Sequence, residues 1–478
     1  MGGSRTLRLI HGSHRFYIWG KYSNGALAVE SWRWYIEWTP AFTGIGTLVG
    51  PNVALSFLGG SILAWGIIGP AIVSQNLARG IQPYVGTKWA PYTIYASITP
   101  GTATTLPTAG YWLLWPGIMI LICSSMGELL VHGKLILDVS KAAFRAAKDN
   151  AREKKSIKQR LAGLFGQDLN DAGEVRWWMW LPGTIILVIL SCVIMALQYH
   201  MDVGTSLVAL LFGFLLSFLV IQCVGVSANT PITAVTKMTQ LVLSGVTANQ
   251  HHSMAAAQRI NIAGAQIAGG AAYAANEMIV DFRVAYLLRV PVLQTLVTQL
   301  IGNVVAVFLS PALFILFTKA YPCILDASAT SCAFAAPAAA SFTGLAQVMT
   351  AQRFPVPTGS GICALVLGVF SFALPFLKRL LLSGEREKYR AFVPSMTLVG
   401  LAFVTPAPCY SIATAIGALG ALLWRKRWPA SAEAYLIPVA AGMIGGEGIG
   451  GVFNAILEIA KVSGTYYGTD IACPVDSC

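Results

Sequence analysis

The chain predicts an all-α, polytopic membrane protein of about ten to twelve spans, with broken or re-entrant helices and a possible inverted repeat. Three observations carry this expectation. The 478 residues are 55% hydrophobic and only 11% charged, where an average soluble domain is roughly a quarter charged. Apolar segments at 53–74, 109–132, 177–199, 204–227, 291–318, 358–377 and 434–462 approach or exceed the roughly 20 residues that cross a hydrocarbon core. Between them lie pieces at 32–50, 336–357 and 394–424 that glycine or proline interrupts. At membrane depth such breaks persist only where protein or a cavity satisfies the freed backbone groups.

Taken in order, Met1–Ser31 is mixed and polar, without the apolar core of a cleaved signal, so 1–31 is expected to be cytoplasmic. A first transmembrane block follows over 32–132. Residues 133–176 form a basic loop, and a second transmembrane block covers 177–464. The tail, 465–478, is expected outside. The formal charge of +12 does not point to nucleic acid, because the excess sits in short connections: 133–177, 378–390 and Arg425–Arg427. Such connections face the cytoplasm under the positive-inside rule. Within the first of them, Leu135–Phe144 has helical apolar spacing, so it either lies along the membrane surface or belongs to a solvated loop. To bring 291–318 out at the Cys323 loop, the polar stretch 228–282 must hold two passes.

No cofactor is expected. The nine cysteines show no metal-ligand spacing, and Cys123, Cys192, Cys223, Cys363 and Cys409 fall in or beside spans, where cysteine acts as a small apolar residue. Cys323 and Cys332 share an outer loop and Cys473 and Cys478 share the tail, so disulfides are open to both pairs. His251-His252 lacks further ligands at readable spacing and does not suggest a metalloenzyme. No filter-like repeated motif suggests a channel.

The stretch from Gly225 to Gly302 is far more polar than a bilayer span needs, which implies a site or a water-filled path. A second pattern is the pair Phe42-Thr43-Gly44 and Phe342-Thr343-Gly344. Each leads through proline into an apolar span, and they enter from opposite sides in this threading. That fits an inverted repeat; chance recurrence of common residues fits it too.

Four blocks then resemble one family: WTPAFTGIGTLVGPNVALSFLGGSILAWGIIGP at 38–70, YWLLWPGIMILICSSMGELL at 111–130, DFRVAYLLR through QLIG at 281–302, and GEGIGGVFNAILEIAKVSG at 446–464. Together they look like the oligopeptide transporter (OPT) superfamily from Trp38 onward. The resemblance implies a secondary transporter, driven by protons, for small peptides, glutathione-like thiols, or metal bound to amino-acid-derived chelators. Leu288-Arg289-Val290-Pro291-Val292-Leu293 keeps one base and one proline of the KIPPR-like motif of peptide carriers, so the branch, peptide or yellow-stripe-like, stays open. Family members are longer. The expectation is that amino-terminal spans are missing, and a truncated, non-transporting member is an alternative.

Proton coupling needs an acid inside the membrane that can be neutralised. The candidates are Glu447, flanked by glycines that would permit a broken helix or close backbone approach, then Glu277 and Asp281. These last two lie four apart on one helix face near Arg283, where a salt bridge is the competing account. Glu128 and Glu458 fall near span ends. Substrate recognition is expected from uncharged polar groups and one base: Ser227, Asn229, Thr230, Thr233, Lys237, Gln240, Asn261, Gln266 and Asn276, with Gln258 beside them. Lys237 would pair with a substrate carboxylate or with a protein acid such as Glu277. Interhelical hydrogen bonding is the alternative for any single amide. Glu37, Asn52 and Ser56 are weaker candidates in the first broken element. The partners implied are a peptide or metal-chelate solute, protons and the lipid bilayer. The plasma membrane is favoured over a vacuole-like one.

Overall fold

In a computed structural model of the chain, the residues described are 24–37, 39–82, 93–97, 106–150, 177–227, 232–247, 250, 252–325, 337–350, 356–382 and 384–462. Regular structure among them is helical, apart from two isolated β-bridges, Arg79 with Thr108 and Ile81 with Ile94. Six of these helices are long and apolar enough to cross a membrane: Pro51–Ser74, Ala109–Glu128, Trp180–Tyr199, Val292–Ala320, Thr358–Leu381 and Pro429–Ile459. The protein is an integral, multi-pass, all-α membrane protein. The chain divides into a first unit of Met1–Ser124, Ser310–Gly344 and Pro355–Cys478, and a second of Ser125–Leu309 and Leu345–Phe354.

All three interrupted pieces of sequence break. In the first unit, α1 (Asn24–Ser31) leads to α2 (Pro40–Val49). Gly50 then turns the chain at φ 82° into α3 (Pro51–Ser61), a π-helical stretch (Ile62–Ile68) and α4 (Gly69–Ser74). A positive φ is free for glycine and costly for other residues, and prolines 40 and 51 sit at helix starts where a missing N–H is harmless. Helix α5 runs from Ala109 to Asn150. It therefore continues past 132 into the basic segment, where KAAFRAAKD is rich in strong helix formers.

The second unit contributes α6 (Trp177–Tyr199), α7 (Val203–Ser227), α8 (Ile232–Thr247) and α9 (Met254–Leu287). Helix α10 (Val292–Ala320) follows. The stretch 228–282, expected to hold two passes, carries α8 and α9, neither of which is among the six helices long and apolar enough to cross a membrane. Beyond Cys323, which is disulfide-bonded, come α11 (Pro337–Thr350), α12 (Thr358–Leu381), α13 (Met396–Val404), α14 (Pro408–Arg427) and α15 (Pro429–Ile459). Cys332, Cys473 and Cys478 lie outside the described residues. Phe42-Thr43-Gly44 falls on α2 and Phe342-Thr343-Gly344 on α11, and each short helix precedes an apolar span.

In the first unit α2 packs on α14 and α15, and α3 on α13 and α14. Trp65, Trp112, Leu113, Ile120 and Phe403 form the buried centre. Prolines inside apolar helices leave carbonyls without their usual donors, and side chains of this unit replace them. Ala402 would bond the N–H of residue 406, which is proline; the Trp65 indole donates to Ala402 O at 2.9 Å instead. In the π stretch Gly69 N–H already bonds Ala64 O, so Trp65 O falls opposite Pro70, and the Trp34 indole donates to it at 3.3 Å. Trp112 O falls opposite Pro116, and the Ser360 hydroxyl donates to it at 2.6 Å. This is how prolines are tolerated in membrane helices.

Trp65 is 1% exposed, and Trp65→Phe removes both volume and the indole donor. The expected loss is about 2–4 kcal/mol, read as a lower melting temperature of the detergent-purified chain. Trp65→Phe melting like the wild type would show that the indole bond contributes nothing.

In the second unit, α9 packs against α7 and α8 through small residues, among them Gly264, Ala265, Ala268, Gly269 and Ala272. Small residues let membrane helices approach closely where lipid supplies no hydrophobic drive. Helix α9 starts where Ser253 caps it, its hydroxyl accepting from Ala256 N–H at 3.4 Å.

Candidate functional site

The first turns of α2 and α14 meet in the first unit. Both helices begin at a proline, Pro40 and Pro408, and neither has a side-chain cap of its own. The first N–H groups of any helix lack intrahelical acceptors and carry a partial positive charge, so they attract anions. Here a carboxylate distant in sequence answers one of them, and a second lies beside the other helix start. Glu447 Oε2, from the middle of α15, accepts the Ala41 N–H at 2.5 Å in the first turn of α2. Glu37 Oε2 accepts the Cys409 thiol at 3.2 Å beside the first turn of α14. The rings of Phe42 and Tyr410 stack between the two helix starts, with centroids 4.4 Å apart and planes within 4°. Arg33, Glu37 and Glu447 all act electrostatically on Tyr410. Two hydroxyls at these breaks, Thr39 Oγ1 and Thr405 Oγ1, are buried and find no hydrogen-bond partner among the described residues.

The arrangement joins two acids, a guanidinium, a thiol and two free hydroxyls at a point where two helices start. Such a set offers hydrogen-bond donors and acceptors to a polar group. Among the described residues no group of three or more His, Cys, Asp or Glu could hold a metal ion.

Glu447 reaches this junction without the helix break expected around it. Helix α15 runs unbroken from Pro429 to Ile459, and a Cβ on Gly445, Gly446, Gly448, Gly450 or Gly451 would meet nothing within 4 Å. These glycines therefore serve neither a break nor a close approach among the described residues. Each costs about 1 kcal/mol of helix propensity, less than the several kcal/mol of an unsatisfied backbone group in hydrocarbon. Asn52 and Ser56 hold the entry to α13: Asn52 Nδ2 donates to Val393 O at 2.9 Å, and Ser56 Oγ accepts from Ser395 N–H at 2.9 Å.

In the second unit the polar residues of α8 and α9 are deeply buried. Lys237 is 1% exposed, and Gln240 and Asn261 have no exposure at all. Gln240 Nε2 donates to Asn261 Oδ1 at 3.0 Å, while Asn261 Nδ2 donates to Gln240 O at 2.8 Å and to Ser244 Oγ at 2.9 Å. Thr236 and Thr239 direct their hydroxyls at carbonyls of their own helix, Ile232 and Val235. Asn276 is buried and donates to its neighbour Glu277 at 3.4 Å, whereas Gln266 is exposed. Among the described residues no ion pair joins Arg283 to Glu277 or Asp281. The Arg283 guanidinium instead lies over the Tyr286 ring at 5.6 Å. The salt bridge expected there is not formed, because Arg283 is exposed and turns to the ring one helical turn along. Ser227 closes α7 and Thr233 lies in the first turn of α8; Asn229 and Thr230 fall outside the described residues.

Arg33, Thr39, Cys409 and Tyr410 were not among the sequence candidates. One signal could have found them: Thr-Pro-Ala occurs at 39–41 and again at 405–407, once at each break.

The family model described as "OPT oligopeptide transporter protein" matches residues 13–458. The chain is 24% identical, over 89% of its length and 59% of the relative's, to "Probable metal-nicotianamine transporter YSL17" of Oryza sativa subsp. japonica. It is 23% identical, over 93% of its length and 61% of the relative's, to "Putative oligopeptide transporter YGL114W" of Saccharomyces cerevisiae. It is 24% identical, over 91% of its length and 60% of the relative's, to "Iron-phytosiderophore transporter yellow stripe 1" of Zea mays. The chain spans about three fifths of the length of these curated relatives.

Proposed function

The chain belongs to the OPT oligopeptide transporter family, and on that premise we propose that it is a proton-coupled secondary carrier of small amino-acid-derived carboxylates, oligopeptides and glutathione among them. A second reading, transport of metal bound to an amino-acid-derived chelator, is favoured by the names of the rice and maize relatives. The observation that carries the proposal is the junction of α2 and α14, where two discontinuous helices start beside carboxylates. Secondary transporters build binding sites from such half-helix starts.

In this reading Glu447 is the coupling acid and Glu277 and Asp281 are secondary to it. Lys237, with Ser227, Asn229, Thr230, Thr233, Gln266 and Asn276, lines the substrate path. Gln240 and Asn261 bond to each other, so their role is to hold α8 to α9. The membrane is the plasma membrane, and the protein is a carrier and not an enzyme.

The test is uptake by the 478-residue chain in liposomes with an acid exterior, using a labelled tetrapeptide, glutathione and iron-nicotianamine as separate arms. One arm should saturate and depend on the proton gradient. Glu447→Gln, which loses a charge-assisted bond, should reduce gradient-driven uptake at least about tenfold. Flux that fails to saturate would indicate a channel, a modified substrate would indicate an enzyme, and folded protein that moves none of the three would overturn the carrier reading.

A further inference from the structure

We propose that the Glu447 carboxylate occupies, in the substrate-free protein, the place of a substrate carboxylate at the start of α2, and that a carboxylate-bearing solute enters by displacing it. The solute class rests on the carrier reading above; the exchange itself rests on the geometry. Helix α2 has ten residues, enough to present a helix start, and its Ala41 N–H is satisfied by a side chain 406 positions away. The Ala41 N–H needs an acceptor from outside its own helix, and an acid 406 positions away supplies it at a helix start, the kind of place where anions bind.

A second observation points to a ligand. Thr39, the residue capping position of α2, is 9% exposed. Its hydroxyl neither caps the helix nor bonds any described residue. Beside a helix start such a hydroxyl can donate to the second oxygen of an incoming carboxylate. The stacked rings of Phe42 and Tyr410 provide an apolar flank. The exchange balances: the incoming carboxylate takes the Ala41 N–H, and Glu447 leaves it as the neutral acid after gaining one proton, so one proton accompanies each carboxylate. The charged and titratable groups around the junction are Arg33, Glu37, Cys409 and Tyr410.

The exchange is read by equilibrium binding to the detergent-purified chain, with triglycine, glutathione and nicotianamine as probes and triglycine amide as the uncharged control. Near neutral pH, Glu447→Gln should bind at least one free-carboxylate probe about tenfold or more tightly than the wild type, because the internal competitor is no longer charged. The wild type should gain that affinity on acidification and Glu447→Gln should not. Triglycine amide should show no gain. Thr39→Val should weaken the free-carboxylate probe several-fold without affecting the amide.

Equal affinities of wild type and Glu447→Gln, an equal gain for the amide, or no binding of any probe to either protein would overturn the exchange. If Glu447→Gln does not fold, Thr39→Val still decides, because unchanged affinity for the free carboxylate removes the site. Gradient-driven uptake without this affinity pattern would sink the exchange and leave the carrier. The pattern without uptake would do the reverse.

Discussion

Gly417→Ala is expected to abolish the folded form of the first unit, although it adds a single methyl group. A Cβ at Gly417 would lie 2.9 Å from the Thr43 carbonyl carbon and closer still to its oxygen. The relation is reciprocal, since a Cβ at Gly46 would meet the Thr414 carbonyl across the same crossing of α2 and α14. A clash with a flexible side chain is relieved by a rotamer change, but one with backbone moves a whole helix. Overpacking commonly costs 1–3 kcal/mol; here it should exceed about 3 kcal/mol. It should also separate the helix starts that the Glu447 and Glu37 contacts require. Size-exclusion chromatography of the detergent-extracted protein should show loss of the monodisperse peak. Gly420→Ala, one turn further along α14, meets nothing within 4 Å and should elute as wild type. Equal behaviour of the two variants would contradict this packing.

The second large effect is expected in the other unit. Asn261→Leu removes the bonds that Asn261 makes with Gln240 Nε2 at 3.0 Å and with Ser244 Oγ at 2.9 Å, at a place where Gln240 and Asn261 have no exposure. Interhelical hydrogen bonds in membranes average well under 1 kcal/mol each, but removing one partner of a buried polar pair costs roughly 1–3 kcal/mol. The single variant should therefore lose about 2–3 kcal/mol. Adding Gln240→Leu replaces the second member of the pair by an apolar group and should recover part of that loss. The cycle, read by thermal unfolding in detergent, should be clearly non-additive. Additive losses would show that the two amides act independently, against their observed pairing.

The residues divide by how far their partners lie along the chain. Pro40, Gly50 and Pro51 announced the first break through local backbone chemistry, and the Thr-Pro-Ala-Pro run at 405–408 announced the break between α13 and α14 in the same way. Glu447 was legible as an acid in an apolar helix. Its expected setting, a glycine-permitted break, was not what the chain adopted, because intrahelical bonds in hydrocarbon outweigh the weak propensity of glycine. Asn52 and Ser56, faint in sequence, hold the entry to α13. Gln240 and Asn261 stood in the sequence as substrate-ligand candidates one at a time, and their bond to each other is visible only once α8 lies against α9.

What the sequence by itself determined is therefore the membrane class, the helical architecture, the family and the proline-marked breaks before α2, α3 and α14. Apolar length, proline and glycine act locally, and family blocks are read in order along the chain. What only the tertiary structure decided is which group answers which freed backbone atom or buried side chain. Trp65 for Ala402, Glu447 for Ala41 and Glu37 for the Cys409 thiol are separated by 337, 406 and 372 positions. In a medium without water, unsatisfied backbone groups at helix breaks must find partners within the protein, and only the packing of the helices sets which side chain is within reach.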